Sequence, residues 1–263
     1  MSVPMTAKGI DPGLATIPFW RTVLVELRKA VGTRGPWIVL GVMALVWCGV
    51  GVVGLSVGVP ASFGGLLSSF GLMTRIFVGV LAILLVTTEW GQRSVVTTFA
   101  LEPRRERVIL AKLSAALLLA VAFFAVMSVL ATVITALRGG AFDDAARALR
   151  GDGVRTLFDV LMAFAIALAV LNTAGAMVTY LVLPEVIVPT LLFLGSLGSA
   201  ADRPGGGLYG TLAPWVYPRE ALAGISEAAP GAQDWAQVLV CAVIWIGLPG
   251  VLGVYRVMTA EVK

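Results

Sequence analysis

Long apolar runs alternate with short polar segments along the whole chain. The runs cover 37–59, 66–86, 108–137, 156–171, 175–197 and 235–255. A helix rising 1.5 Å per residue crosses the ~30 Å hydrocarbon core of a bilayer in about 20 residues. The pattern therefore predicts an all-α integral membrane protein with six transmembrane helices. Residues 157–197 form one apolar stretch too long for a single crossing, so a hairpin is required there. Asn172-Thr173-Ala174-Gly175 is the place to turn it.

The polar segments have patterns of their own. Residues 1–18 carry Pro, Gly and Thr and read as a loose leader. In 19–31, Phe19, Trp20, Val23, Leu24, Leu27 and Val31 recur at helical spacing, with Arg21, Arg28 and Lys29 on a polar side. This predicts an amphipathic helix lying at the membrane surface, its cations near anionic lipid. The alternative is a cytoplasmic extension of the first span. Residues 138–155 read as a polar loop. The connection 200–234 is the longest and holds Pro204, Pro214, Pro218 and Pro230. Its middle, 215–225, is expected to form a short interfacial helix. A short tail, 256–263, follows the sixth span.

The stretch between spans two and three is the most informative. Trp90, Val95, Phe99 and Leu101 give an interrupted apolar face, and Gln92, Arg93, Thr97 and Glu102 a polar one. Pro103 ends the helix, because proline disfavours helical geometry in the residue before it. Arg104, Arg105, Arg107 and Lys112 then mark the edge of span three. The result is a short surface helix between two spans, polar enough to dock on a soluble partner. Its plain alternative is a solvated loop carrying a cluster of positive charge.

Composition changes the picture by fixing the solvent. Hydrophobic residues make up 59% of the chain and charged residues 13%, with a mean hydropathy of +0.96. A soluble domain carries roughly 25% charged residues. The first apolar run begins only after a polar and basic leader, so no cleaved secretory signal is expected. About twelve of the Lys and Arg residues fall in the leader, in 87–112 and in the tail, against about six on the opposite side. The bias places both termini in the cytoplasm of a multi-pass protein of the cell membrane.

Chemistry narrows next. Histidine is absent, which excludes imidazole–metal sites and Ser–His hydrolysis. Cys48 and Cys241 stand alone inside apolar runs and read as small buried hydrophobes. No Gly-x-x-x-x-Gly-Lys-Ser/Thr phosphate loop occurs, and no basic cluster interleaved with aromatics points to nucleic acid. Three ionisable residues fall within spans. Glu185 lies ~15 Å into the fifth span between Pro184 and Pro189. It either lines a substrate pathway or is a structural carboxylate paired with Arg75. Arg75 either pairs or snorkels outward, and Asp159 is expected near the outer end of span four.

These residues carry a resemblance. Glu89, Trp90 and Ser94 after the second span, then Thr97-Thr98-Phe99, Pro103, Arg105 and Lys112, resemble the type-2 permeases of ATP-binding-cassette (ABC) transporters. Glu26, Leu27, Lys29 and Arg34 resemble the family's interfacial entry helix, and Asn172-Thr173-Ala174-Gly175-Ala176 its turn between spans four and five. The resemblance covers nearly the whole chain. Two departures stand out. Arg93-Ser94 replaces the common Gly-Thr, a variant similar to actinobacterial members, and Leu171 stands where an arginine often precedes the turn.

The resemblance implies a dimer of six-span halves, formed with a second copy or a sister permease. Beneath each half sits a separate nucleotide-binding ATPase subunit, which supplies ATP and Mg. The helix after span two would be the coupling helix, with Glu89, Trp90, Gln92, Arg93, Ser94, Thr97, Arg104 and Arg105 facing that subunit. Glu185, Asn172 and Thr173 would border the substrate pathway. A re-entrant segment between spans five and six would cap it outside. The chain itself would hold no cofactor and perform no catalysis. The expected function is export of hydrophobic or amphipathic compounds, such as a drug, an antibiotic or a lipid-like molecule. The alternatives are a membrane scaffold or sensor and a membrane enzyme, the latter disfavoured by the missing histidine.

Overall fold

The computed structural model describes residues 18–32, 34–56, 62–92, 104–197, 207–227 and 229–259. Among these there is no strand, and six helices are long and apolar enough to cross a membrane. We number the helices α1 (Phe19–Gly32), α2 (Arg34–Ser56), α3 (Phe63–Gly91), α4 (Arg105–Leu137), α5 (Ala145–Val170), α6 (Thr173–Ser196), α7 (Leu208–Val216), α8 (Pro218–Ala221) and α9 (Ala232–Thr259). The spans are α2, α3, α4, α5, α6 and α9. The coupling helix is expected to begin at Glu89, but 89–91 form the last turn of α3; the rest of the connection, 93–103, lies outside the described residues, as do 1–17 and 198–206.

Local chemistry sets the helix ends. Ser62 caps α3, its Oγ accepting the Gly65 N–H at 3.1 Å. The Gly64 N–H is taken across space by both oxygens of Asp144, each at 3.1 Å. Asn172 caps α6 by accepting the Gly175 N–H at 2.9 Å. Each cap satisfies one of the N–H groups that the first turn of a helix leaves unpaired. Between α5 and α6 the chain reverses at Leu171, whose φ of 55° lies in the left-handed region.

The core is built on α3 and α5. The apolar window of each is 61% buried, whereas that of α2 is 6% buried. Small residues permit the close packing of α5. Ala163, Ala165, Ala167 and Ala169 are all buried, and Gly253 of α9 lies against the backbone of Leu168 and Ala169. Most remaining surface on the spans is apolar, including Leu45, Val129, Leu191 and Val251, as a lipid environment requires. The helix ends divide into two groups. The end of α3, the start of α4, the α5–α6 turn and the end of α9 meet at one end, together with α1. There Thr87 Oγ1 lies 2.8 Å from Thr173 Oγ1, and Arg105 donates to Val257 O at 2.7 Å. At the opposite end Arg138 donates to Gly54 O and Leu55 O at 2.8 and 2.9 Å.

Three expectations need correction. The polar loop 138–155 is mostly helix, because α5 begins at Ala145. Gly139 makes the turn after α4, with a φ of 61°, whereas Gly151 serves close approach: a Cβ there would stand 2.3 Å from Ser226 Oγ. Asp159 is consequently well inside α5 rather than near its outer end. The connection before the last span also folds earlier than expected. It forms α7, α8 and a single turn at Gly224–Ser226, with Pro214 inside α7.

Two spans carry the same local irregularity. In α6 the turn Leu183–Ile187 is widened, and the Val188 N–H reaches back five residues to Leu183 O. In α9 the turn Val243–Gly247 is widened, and the Leu248 N–H reaches Val243 O. Each widened turn ends two residues before a proline, Pro189 or Pro249. Proline has no N–H to give and its ring crowds the carbonyl four residues earlier, so the preceding turn opens. Such widened turns are concentrated at functional positions.

Candidate functional site

Four charged side chains close the end where α1, α3 and α4 meet. On α1, Glu26 shares a stripe with Val23, Leu27 and Ala30, so helical geometry turns it inward with them, and it is only 1% exposed. Lys112, in the second turn of α4, donates to Glu26 Oε2 at 2.6 Å and to Leu85 O at 3.1 Å. It also lies 3.2 Å from Glu89 Oε1, in the last turn of α3. Lys29 completes the set, 2.8 Å from Glu26 Oε1 and 2.7 Å from Glu89 Oε1. Two cations and two carboxylates thus alternate across three helices.

This brace has a clear electrostatic logic. A carboxylate buried as deeply as Glu26 is tolerated only when paired and hydrogen-bonded. Burial pulls the Lys29 ammonium down from its ordinary 10.5, but Glu26 and Glu89 outweigh it and the net direction is up. A raised lysine keeps its charge, and hence its attraction, throughout neutral pH. That attraction fades only as pH climbs past 10.5 through the raised value.

The residues expected to face a partner therefore divide. The Glu89 carboxylate points inward to Lys29 and Lys112, with 12% of its side chain exposed. Trp90 is partly buried against the core. Arg105 clasps the end of α9 through Val257 O and Met258 O. Gln92 and Arg104 are exposed on either side of the connection, and Arg93, Ser94 and Thr97 lie outside the described residues. The sequence places Glu26 and Lys29 in one motif and Glu89 and Lys112 in another. The signal that unites them is a carboxylate on the apolar stripe of α1, which demands a buried cation from elsewhere.

A second cluster sits within the spans. Asp152 and Asp159 are seven residues apart on α5, two turns along one face. Arg75 of α3 lies between them, 3.0 Å from Asp152 Oδ1 and 3.3 Å from Asp159 Oδ2. Ser68 donates to Asp152 Oδ2 at 3.1 Å, and Tyr180 of α6 donates to Arg75 O at 3.3 Å. The partner of Arg75 is thus a pair of aspartates rather than Glu185. Asp152 reads as a loop residue in the sequence because its partners, Arg75 and Ser68, come from α3.

Glu185 stands apart. Among the described residues it makes no ion pair; its contact is the Tyr217 hydroxyl, which donates to Oε2 at 3.4 Å. It lies on the exposed surface of α6, in the widened turn at mid-span. Asn172 and Thr173, which were grouped with it, lie twelve or more residues away at the braced end, ~18 Å along the helix. There Asn172 caps α6 and Thr173 meets Thr87.

The α7–α8 segment is anchored onto the bundle near Glu185. Trp245 Nε1 donates to Val216 O at 2.7 Å, between α9 and the end of α7. Arg150 of α5 donates to Ile225 O at 3.1 Å and also to Glu227 O. Arg155 donates to Leu222 O at 3.4 Å. The connection is thereby held to α5, α6 and α9 at the end opposite the brace. No protein-family model matches the chain, and no curated protein matches it.

Proposed function

We propose that the chain is the membrane-spanning half of an exporter driven by a separate ATPase subunit. It works as a pair, with a second copy or a sister chain, and moves hydrophobic or amphipathic compounds out of the cell. In this reading both termini and the 93–103 connection are cytoplasmic, where positive charge collects. ATP and Mg belong to the partner subunit.

The observation that carries the reading is the four-charge brace. It fastens both roots of the 93–103 connection, at Glu89 and Lys112, to each other and to α1. A push on that connection then moves α1, α3 and α4 as a block instead of bending one helix end. The widened turns of α6 and α9 supply compliance in the spans that the brace does not hold.

Glu185 supports the pairing. A carboxylate at mid-span is expensive against hydrocarbon and belongs against protein or a water-filled route. Its exposure on a single copy therefore marks a face that another subunit or the substrate route covers. Replacing Glu185 with Gln is expected to change substrate-stimulated ATP hydrolysis severalfold in the reconstituted complex; unaltered stimulation would remove Glu185 from the route.

The reading as a whole is tested by purifying the tagged chain from its own membrane in mild detergent. A nucleotide-binding subunit is expected to accompany it in comparable amount and to hydrolyse ATP after reconstitution. A chain that transports in proteoliposomes without any such subunit would overturn the proposal, and one that assembles with other membrane proteins but no ATPase would favour a scaffold.

A further inference from the structure

An apolar cleft of about 270 Å³ opens between α5, α6 and α9. Ile166, Ala169, Val170, Leu183, Ile244 and Trp245 line it, with Thr179 contributing the one hydroxyl side chain. The cleft exists because both widened turns border it: Leu183 belongs to one, and Ile244 and Trp245 to the other. Its flanks are exposed apolar residues, Val178 and Leu248 among them, so it opens on the outer surface of the bundle.

Length and charge point to its occupant. Val170 ends α5 at the braced end of the molecule, and Leu183 lies ten residues into α6. The cleft therefore runs roughly 15 Å inward from that end, the depth of one leaflet of a ~30 Å hydrocarbon core. At its mouth Arg256 of α9 is exposed and donates to the carbonyl of Ala169, itself a lining residue. A guanidinium has five N–H donors in a planar fork suited to phosphate, and this bond uses one of them.

We propose that the cleft is a binding site for an anionic phospholipid, one acyl chain lying along α6 and α9 and the phosphate on Arg256. The site stands on the geometry of this chain alone and is independent of the exporter reading. It places a lipid against the two turns that soften α6 and α9, so occupancy stiffens both.

Trp245 is a built-in probe. The protein is reconstituted into phosphatidylcholine vesicles containing brominated-chain phosphatidylglycerol or brominated-chain phosphatidylcholine, and the Trp245 contribution is isolated by comparison with Trp245→Phe. Quenching is expected to favour the anionic lipid about fivefold, the effect of one cation near the headgroup. Arg256→Gln, which changes no side chain that lines the cleft, is expected to abolish the preference, and Arg256→Lys to restore part of it. Thr179→Phe, which fills the cleft, is expected to remove the quenching by either lipid. Equal quenching by both lipids in the parent protein would overturn the headgroup assignment. Quenching unaffected by Thr179→Phe would overturn the site, and so would a dimer that buries the cleft and excludes both lipids.

Discussion

Replacing Lys112 with Met is expected to destabilise the protein by about 3–5 kcal/mol, the cost of removing one partner from a buried ion pair. Lys112 satisfies Glu26, Glu89 and the carbonyl of Leu85 at once. Without it, two carboxylates share Lys29, and one of them is 1% exposed. The loss should appear as a lower midpoint of thermal unfolding in detergent. The paired change Glu26→Leu with Lys112→Met should recover most of it, since apolar replacement of a buried pair is often neutral. That double change leaves Lys29 on Glu89 at 2.7 Å. A Lys112→Met protein as stable as its parent would mean that the brace contributes nothing to joining the three helices.

The second large effect is steric and lies on α9. A Cβ at Gly253 would stand 2.5 Å from Leu168 Cβ, 2.6 Å from Leu168 C and 2.7 Å from Ala169 N. Two of these atoms are backbone of α5, one of the two most buried spans, so no side-chain rotation relieves the contact. Gly253→Val must therefore push α9 away from α5. Overpacking of this kind costs about 1–3 kcal/mol or more. It would also loosen the bond from Arg256 to the Ala169 carbonyl and the clasp of Arg105 on Val257 and Met258. Gly250→Ala is the internal control, because the nearest atom to its Cβ is Ala165 Cβ at 3.8 Å. The same unfolding midpoint for Gly253→Val and Gly250→Ala would contradict the close approach of the two helices.

The spans were legible because crossing hydrocarbon demands long apolar runs, and few other constraints produce them. The start of α5 was not. Arg147, Arg150, Gly151, Asp152, Gly153 and Arg155 look like loop residues when only sequence neighbours are considered. Their partners are distant: Arg75 and Ser68 on α3, and the carbonyls of Leu222 and Ile225 beyond α6. A polar residue inside a span reads as loop until its partner is known. The caps at Asn172 and the importance of Pro189 could be read locally, since both act within one turn of chain. The second widened turn could have been inferred the same way from Leu248-Pro249. The role of Glu89 was half legible. Its position at the root of the connection was evident, but the inward direction of its carboxylate depends on Glu26, Lys29 and Lys112 arriving from two other helices.

The mechanical account requires that the connection leaving α3 at Gln92 meet the cytoplasm. Gln92 is exposed, and a cysteine there, in a chain with Cys48 and Cys241 replaced by Ala, reports its side directly. With a membrane-impermeant maleimide, the account expects no labelling of intact cells and full labelling of inverted membrane vesicles. Labelling of Gln92→Cys in intact cells would put the braced end outside and contradict the account.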